Sequence, residues 1–452
     1  MEPRIEQFIE KHSINFTTVA SHIHPLNSKG TIKSSCERYA ISWNTTSLTL
    51  LFSTDAADTG TDMEPCPFGY TFEENPQHYP GNIMKEFKLV CGKSWLIQAD
   101  ESIYMLGMKL GLLTSGLIAD KFGRRMALWI LNLVEIVGTC GISLSPNFYG
   151  YIISRMLVAI GSAGKLSVGH VLLLELTAPK YRSVFCSILD IGVDFIFRFQ
   201  MALLAYVLLS YRLLNAASMW NNLFGLAYLW LLPESPKWYA SRGRWMECVQ
   251  ELKNGYSINS RWRKQSQSEN TLTFSLRFQL ESQPDRIDQS DTKSSGWTLK
   301  VCMCVVLSAI QASGTLINFI GLLLYTNKLK GSVYFNGLVN SCIGLPSNIL
   351  FMFVYRICSR RKRPLLLMLV LSCVALLMGV LNFSRMLLNH DWLKITSVTM
   401  CLGLVNTSIS MIFVYVPELF SPEIRASGFG IALGVARIGT MFCPYVNQLN
   451  DV

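Results

Sequence analysis

Ten stretches of this chain stay apolar over about 20 residues each, the length at which an α-helix crosses the hydrocarbon core of a bilayer. They run approximately over 97–119, 126–145, 149–174, 184–209, 213–233, 299–325, 332–355, 364–383, 393–417 and 425–446. No water is available in that core to satisfy backbone N–H and C=O groups, so each run is expected to be helical. Only 15% of the 452 residues are charged and mean hydropathy is +0.31, whereas a soluble protein carries about 25% charge. The chain therefore reads as an all-α, multi-pass membrane protein rather than a string of soluble domains. The net charge of +10 would suit nucleic acid, but the basic residues recur in short loops between apolar runs. Positive-inside topology accounts for that placement and nucleic-acid binding does not. The thirteen cysteines fall mostly inside apolar runs with no metal-like C-x-x-C spacing, and Cys302 and Cys304 are two apart on one helix. They read as buried thiols, with no metal and no cofactor implied.

The loops sort by charge. Lys121, Arg124 and Arg125 fall on one side with Lys180, Arg182, the segment 234–297, Arg356 to Arg363, and Arg425; short polar turns near Pro146, Tyr211, Asn327 and Asn389 fall on the other, with Lys328 and Lys330 as minor violations. This divides the chain into an extracellular region 1–95, a transmembrane bundle 96–233, a cytoplasmic loop 234–297 and a second bundle 298–452. Met1-Glu-Pro-Arg opens without the apolar core of a signal peptide. Asn15-Phe-Thr and Asn44-Thr-Thr are glycosylation sequons in the region expected outside, while Asn382-Phe-Ser lies too near the membrane. Cys36, Cys66 and Cys91 can form disulfides there, leaving one unpaired. The chain holds no phosphate loop, His–Glu metal pair or nucleophile elbow, so it is not read as an enzyme.

One turn is more specific than its charge. Gly116-Leu-Ile-Ala-Asp120-Lys-Phe-Gly123-Arg124-Arg125 joins the first two runs. Gly123 permits a sharp turn, and Asp120 can pair with an arginine or with the start of a neighbouring helix. Glu175 with Arg182, and Glu418 with Arg425 ahead of Gly428 and Gly430, repeat one arrangement: a glutamate at a helix end and an arginine seven residues later, across a Pro-containing turn. Such an echo suits repeated transporter halves. With Pro233-Glu234-Ser-Pro-Lys-Trp238 and Glu86 to Trp95, the pattern resembles solute carrier family 22, the organic cation, organic anion and carnitine transporters of the major facilitator fold, over about residues 80 to 446. The resemblance implies two helical bundles around a central cavity, alternating access, and a multi-pass location in the plasma membrane. Family members have twelve spans, so the first and last are expected to be missing here, the chain opening inside the extracellular loop. Gly116, Asp120, Gly123, Arg124, Arg125, Glu175, Arg182, Glu418 and Arg425 are expected to form the cytoplasmic gate, with Arg155 as a further structural gate residue. Arg356-Ile-Cys-Ser359-Arg360-Arg361 is a degraded second copy, with Arg for Asp and Ser for Gly, which predicts one weak inner pairing.

Arg437 lies mid-run, where an arginine costs a few kcal/mol at least and faces a cavity or a partner. Its two readings are a buried ion pair with a helix carboxylate, or an anchor for a substrate carboxylate or sulfate. The resemblance favours the second, because anion and carnitine members carry Arg here and cation transporters Asp. It also places Phe319 and Phe413 as cavity aromatics, with Ile320 and Ile409 where relatives have another ring; lipid or helix packing is the competing reading of each Phe. Asp190, Asp194 and Arg198 follow one helical face, so a local Asp194–Arg198 pair competes with a cation or proton-coupling site built on Asp190 and Lys165, with Asp194 beside them. The expected function is transport of small organic anions or zwitterions, with the organic ion and the lipid bilayer as partners. Organic cation or carnitine transport, or a diverged relative without transport, are the alternatives.

Overall fold

The computed structural model describes residues 36–39, 63–65, 79–262, 298–326, 333–358, 361–383 and 391–449. Asn15, Asn44, Cys66, Lys328, Lys330, Ser359, Arg360 and the segment 263–297 lie outside the described residues.

Two compact units are distinguished, Met1–Pro76 with Pro80–Ile97, and Gln77–Tyr79 with Gln98–Val452. In the first, strand β1 (Glu37–Tyr39) pairs antiparallel with β2 (Met63–Pro65), Arg38 opposite Glu64. Helix α1 (Ile83–Glu86) starts at Asn82, whose side chain accepts from the Met84 N–H. Of the three cysteines in this region, Cys36 and Cys91 form a disulfide.

The second unit is helical. In chain order it holds α2 (Trp95–Phe122), α3 (Arg124–Leu144), α4 (Phe148–Leu176), α5 (Arg182–Ile191), α6 (Arg198–Val207), α7 (Tyr211–Phe224), α8 (Tyr228–Leu231), α9 (Pro236–Ser241), α10 (Trp245–Trp262), α11 (Leu299–Thr326), α12 (Val333–Ile357), α13 (Lys362–Phe383), α14 (Asp391–Glu418), α15 (Arg425–Thr440) and α16 (Cys443–Leu449). All ten apolar runs are helical. Among the described residues, 7 helices are long and apolar enough to cross a membrane. Two of the other three runs are broken: α5 and α6 are joined by a π-helical segment over Gly192–Phe197, and α7 gives way to a 3-10 turn at Gly225–Ala227. Polar side chains explain both breaks, since Asp190, Asp194 and Arg198 interrupt the first run and Asn215, Asn221 and Asn222 the second. A π segment often marks a functional position.

Local chemistry sets the helix starts. Asn147 caps α4 by accepting from the Gly150 N–H, and Ser235 caps α9 with Pro236 at its first turn. Small residues then let helices touch. On α2, Gly116 faces the Ala426 carbonyl at 2.5 Å from where a Cβ would stand, and Gly430 of α15 faces the Leu112 carbonyl at 2.3 Å. The Lys109 carbonyl lies 3.4 Å from the same point on Gly434. Residues 116, 112 and 109 thus meet 426, 430 and 434, an antiparallel α2–α15 contact with almost no side chain between the backbones. The main core joins α2, α3, α4 and α11 to α15, with Leu131, Val168, Phe351, Met411 and Phe429 sealed inside it.

Candidate functional site

The basic-loop end is held by buried charge. Gly123 adopts φ +97°, and a Cβ there would stand 2.4 Å from Glu234 Oε2. This turn starts α3 with Arg124 wholly enclosed. The Arg124 guanidinium lies 3.1 Å from Asp120 Oδ1 and 3.0 Å from Glu175 Oε2. It also donates to the carbonyls of Ala119 and Pro422 at 3.2 and 2.9 Å. Asp120 Oδ2 accepts from the Ser427 N–H at 2.8 Å and the Ser427 hydroxyl at 2.6 Å, so the carboxylate caps α15. Glu175 reaches across to Arg425 at 3.3 Å. Arg182 donates to Glu418 at 2.6 Å, and Arg361 pairs with the other oxygen of Glu418. The gate residues that the sequence singles out are thus brought together, Gly116 at the helix crossing included.

Glu234 completes the knot. Its carboxylate accepts from the backbone N–H groups of Arg124 at 2.9 Å, Arg125 at 3.1 Å and Ser235 at 2.9 Å. Burial raises its pKa, and these backbone bonds pull it back. Trp238 Nε1 and Arg242 both donate to the Asp120 carbonyl, at 2.9 and 2.6 Å. The Pro-Glu-Ser-Pro motif alone does not reveal its target; Glu234 is the hinge of the Gly123 turn. Gly123→Ala is expected to cost about 1–3 kcal/mol, because φ +97° is a region open essentially to glycine and Glu234 must move. A lowered melting midpoint in detergent would show it. The second copy of the motif behaves differently. Arg356, standing where Asp120 stands in the first, is exposed and forms no ion pair among the described residues. No carboxylate from that position caps α5.

Midway along the helices the charges are mostly paired. Arg198 sits 3.2 Å from Asp194 and 5.7 Å from the Phe319 ring. Lys165 and Asp190, joined in the sequence-based coupling site, take different partners. Lys165 meets Glu135 at 2.8 Å, Asn132 at 2.9 Å and Asn222 at 3.0 Å. Asp190 meets His170 at 2.9 Å. The competing side chains are nearer because α3 packs along α4. Arg155 binds Asp100, Glu101 and the Tyr151 hydroxyl. Asp100 and Glu101 lie near the start of α2, at the opposite end from the basic turn, and Tyr151 lies on α4.

Arg437 differs. It is 9% exposed, its Nε has no hydrogen-bond partner, and its side chain forms no ion pair among the described residues. Tyr104 of α2 is the ionisable group beside it. The buried ion pair, one of its two sequence readings, is not formed. One turn back along the α2–α15 contact, Lys109 also forms no ion pair among the described residues. The sequence reading passed over Lys109, although a lysine near the centre of the run 97–119 was signal enough. Phe319 is enclosed with Met105, Ile320 and Val405. Phe413 lies between His170, at 4.7 Å between ring centres, and Phe429, at 5.4 Å. Both rings are packed in this state of the protein.

The family model described as "Sugar (and other) transporter" matches residues 69–449. The chain belongs to that family. It is 26% identical over 407 residues to solute carrier family 22 member 6 of Bos taurus, covering 88% of this chain and 71% of the relative. It is 25% identical over 418 residues to the human organic cation/carnitine transporter 2, covering 91% and 72%. To solute carrier family 22 member 2 of Rattus norvegicus it is 25% identical over 442 residues, covering 93% and 73%. Among solved structures it resembles the major facilitator proton:xylose symporter XylE bound to 6-bromo-6-deoxy-D-glucose, with TM-score 0.60, 17% identity, and 82% and 81% of the two chains covered. The human organic anion transporter MFSD10 aligns with TM-score 0.52, 15% identity, and 80% of each chain. The chain is a multi-pass transmembrane transporter of the major facilitator fold and the solute carrier 22 type.

Proposed function

We propose that this transporter moves small organic anions or zwitterions across the plasma membrane by alternating access, with Arg437 as the anion anchor. The supporting observation is its buried guanidinium without a carboxylate partner. Enclosing such a group without a counter-charge is costly, and a substrate carboxylate or sulfonate supplies bidentate acceptors for it. Neighbouring intramembrane charges do not meet the need, because Glu135, Asp190 and Asp194 are held by Lys165, His170 and Arg198. A cationic substrate would meet repulsion instead. Repulsion of this kind favours the anion reading over cation transport, although one similar protein is the human organic cation/carnitine transporter 2.

In this reading Phe319 and Phe413 face the apolar body of the substrate once the cavity opens, and Lys109 adds a second positive charge near Arg437. The basic-loop end is cytoplasmic, the 1–95 region is outside, and the spans before and after 234–297 form the two rocking bundles. The network of Asp120, Arg124, Arg125, Glu175, Arg182, Glu418 and Arg425 closes the cytoplasmic end.

Uptake into proteoliposomes tests the charge preference. 2-Naphthalenesulfonate should enter and its trimethylammonium counterpart should not; uptake of the cation alone would reverse the assignment. Lys109→Gln is expected to weaken a dianionic naphthalenedisulfonate more than the monoanion, by about tenfold for one lost charge-assisted contact. Equal losses for the two probes would remove Lys109 from the site.

A further inference from the structure

His170 is 1% exposed on α4, in the interior of a transmembrane helix, and neither the gate nor the anion anchor uses it. Both its ring nitrogens face oxygen acceptors. Nδ1 lies 2.8 Å from the Leu166 carbonyl and Nε2 lies 2.9 Å from Asp190 Oδ1. A carbonyl only accepts, so the Nδ1 contact requires a proton on Nδ1. The Nε2 contact then requires a second proton, held either by the ring or by the carboxyl. The pair therefore carries one proton more than a neutral imidazole beside a carboxylate. Asp190 Oδ2 is buried with no hydrogen-bond partner, so a fully ionised carboxylate would be only half satisfied.

The surrounding charges do not replace that proton. Of the elements packed on α4, α5 brings Asp190 and, continuing from it, Asp194 toward the imidazole, with Cys186 beside Asp190, and α14 brings the Phe413 ring. Asp194 is held by Arg198, Glu135 of α3 by Lys165, Glu418 of α14 by Arg182 and Arg361, and Arg425 of α15 by Glu175. Lys237 of α9 lies among the gate charges. Among the described residues, His170 is the one basic side chain that pairs with Asp190. The proton they share is thus the local counter-charge of Asp190.

We propose that the His170–Asp190 pair is a proton-binding site that couples anion uptake to an inward proton gradient. This rests on the anion-transport reading above. The pair ties α4 to α5, and the His170 ring packs tilted against Phe413 of α14, the helix that ends at Glu418. Parting α14 from α4 admits water to the imidazole. The proton then leaves the Nε2–Oδ1 contact for that water, the dyad falls from net zero to one negative charge, and a proton from the other side restores it. One proton travels with one anion.

The probe for the test is 2-naphthalenesulfonate, which stays charged at every working pH, so a pH effect belongs to the protein. In proteoliposomes with the membrane potential clamped at zero, an inside-alkaline gradient of about one pH unit should drive about tenfold accumulation. His170→Gln and Asp190→Asn should each lose the gradient response, and either variant serves if the other does not fold. Accumulation by the wild type that ignores the gradient, or a variant that keeps the response, overturns the coupling. Proton counting on purified protein without substrate supplies an independent readout. Titrated upward from above the range of an ordinary carboxyl, the wild type should release one proton more than Asp190→Asn, and equal release overturns the site. No uptake under either condition contradicts the transport reading and the coupling with it, while the proton count still decides whether the dyad binds a proton.

Discussion

Arg124→Leu is expected to be among the most damaging substitutions in the chain, lowering stability by about 3–5 kcal/mol. Arg124 is completely enclosed and lies 3.1 Å from Asp120 and 3.0 Å from Glu175. Leucine fills part of its volume but leaves two buried carboxylates facing one another with only Ser427 and Arg425 to hold them. The carbonyls of Ala119 and Pro422 also lose their donor. Loss should appear first at the α2–α15 crossing, since Asp120 caps α15 there. A thermal melt in detergent measures the stability. A thiol introduced by Ser427→Cys is expected to be shielded when Arg124 is present and to react with a maleimide once Arg124→Leu is added. A melt within about 1 kcal/mol of the parent, together with an unreactive thiol in the double variant, would mean that the network is not what holds this end closed.

Arg437→Asp is expected to abolish uptake of an arylsulfonate while leaving insertion and surface density intact. A charge-assisted hydrogen bond contributes about 1.5–3 kcal/mol, or roughly 10–100-fold in affinity, and inverting the charge adds repulsion. Arg437→Lys keeps the charge but loses the bidentate fork, so it should fall between the two with a loss of about tenfold. Because the side chain has no ion pair to lose among the described residues, removing its charge strands no protein carboxylate. The melting midpoint should hold or rise. That separation of activity from stability is the opposite of the Arg124 result. Two arginines in apolar helices are thus distinguished by what surrounds them.

The helices and the gate were legible in the sequence for different reasons. Apolar runs of about 20 residues leave little choice but helix, and all ten are helical over most of their length, two of them with breaks at polar positions. The charge network around Arg124 was readable because the resemblance to solute carrier family 22 marks its glycine, acid and arginine positions, and the structure gives them local reasons: Gly123 turns at φ +97° and Asp120 accepts from Ser427 at the start of α15. Interior pairings were not readable. Helical spacing offered Asp194 with Arg198, which forms. It could not show that Lys165 meets Glu135 from another helix, nor that His170 takes Asp190. Those choices depend on α3 and α5 packing against α4, which one-dimensional periodicity does not encode. Lys109 is legible only as a charge within its run, because a single lysine barely dents the run's hydropathy. Glu234 was seen as part of a motif, yet its three backbone donors became visible only once α9 folded back on the Gly123 turn.

Direct binding gives the sharpest test of Arg437 as the anion anchor. Titration calorimetry of 2-naphthalenesulfonate into purified wild-type protein and Arg437→Gln, at matched pH and low salt, isolates the contact from gating and translocation. Glutamine keeps hydrogen-bonding capacity but removes the charge. Wild-type binding weakened at least about tenfold by Arg437→Gln, with 2-naphthyltrimethylammonium bound no more weakly by the variant, is the predicted result. Equal sulfonate affinity in the two proteins would contradict the account, and the guanidinium would then have to be explained without a substrate.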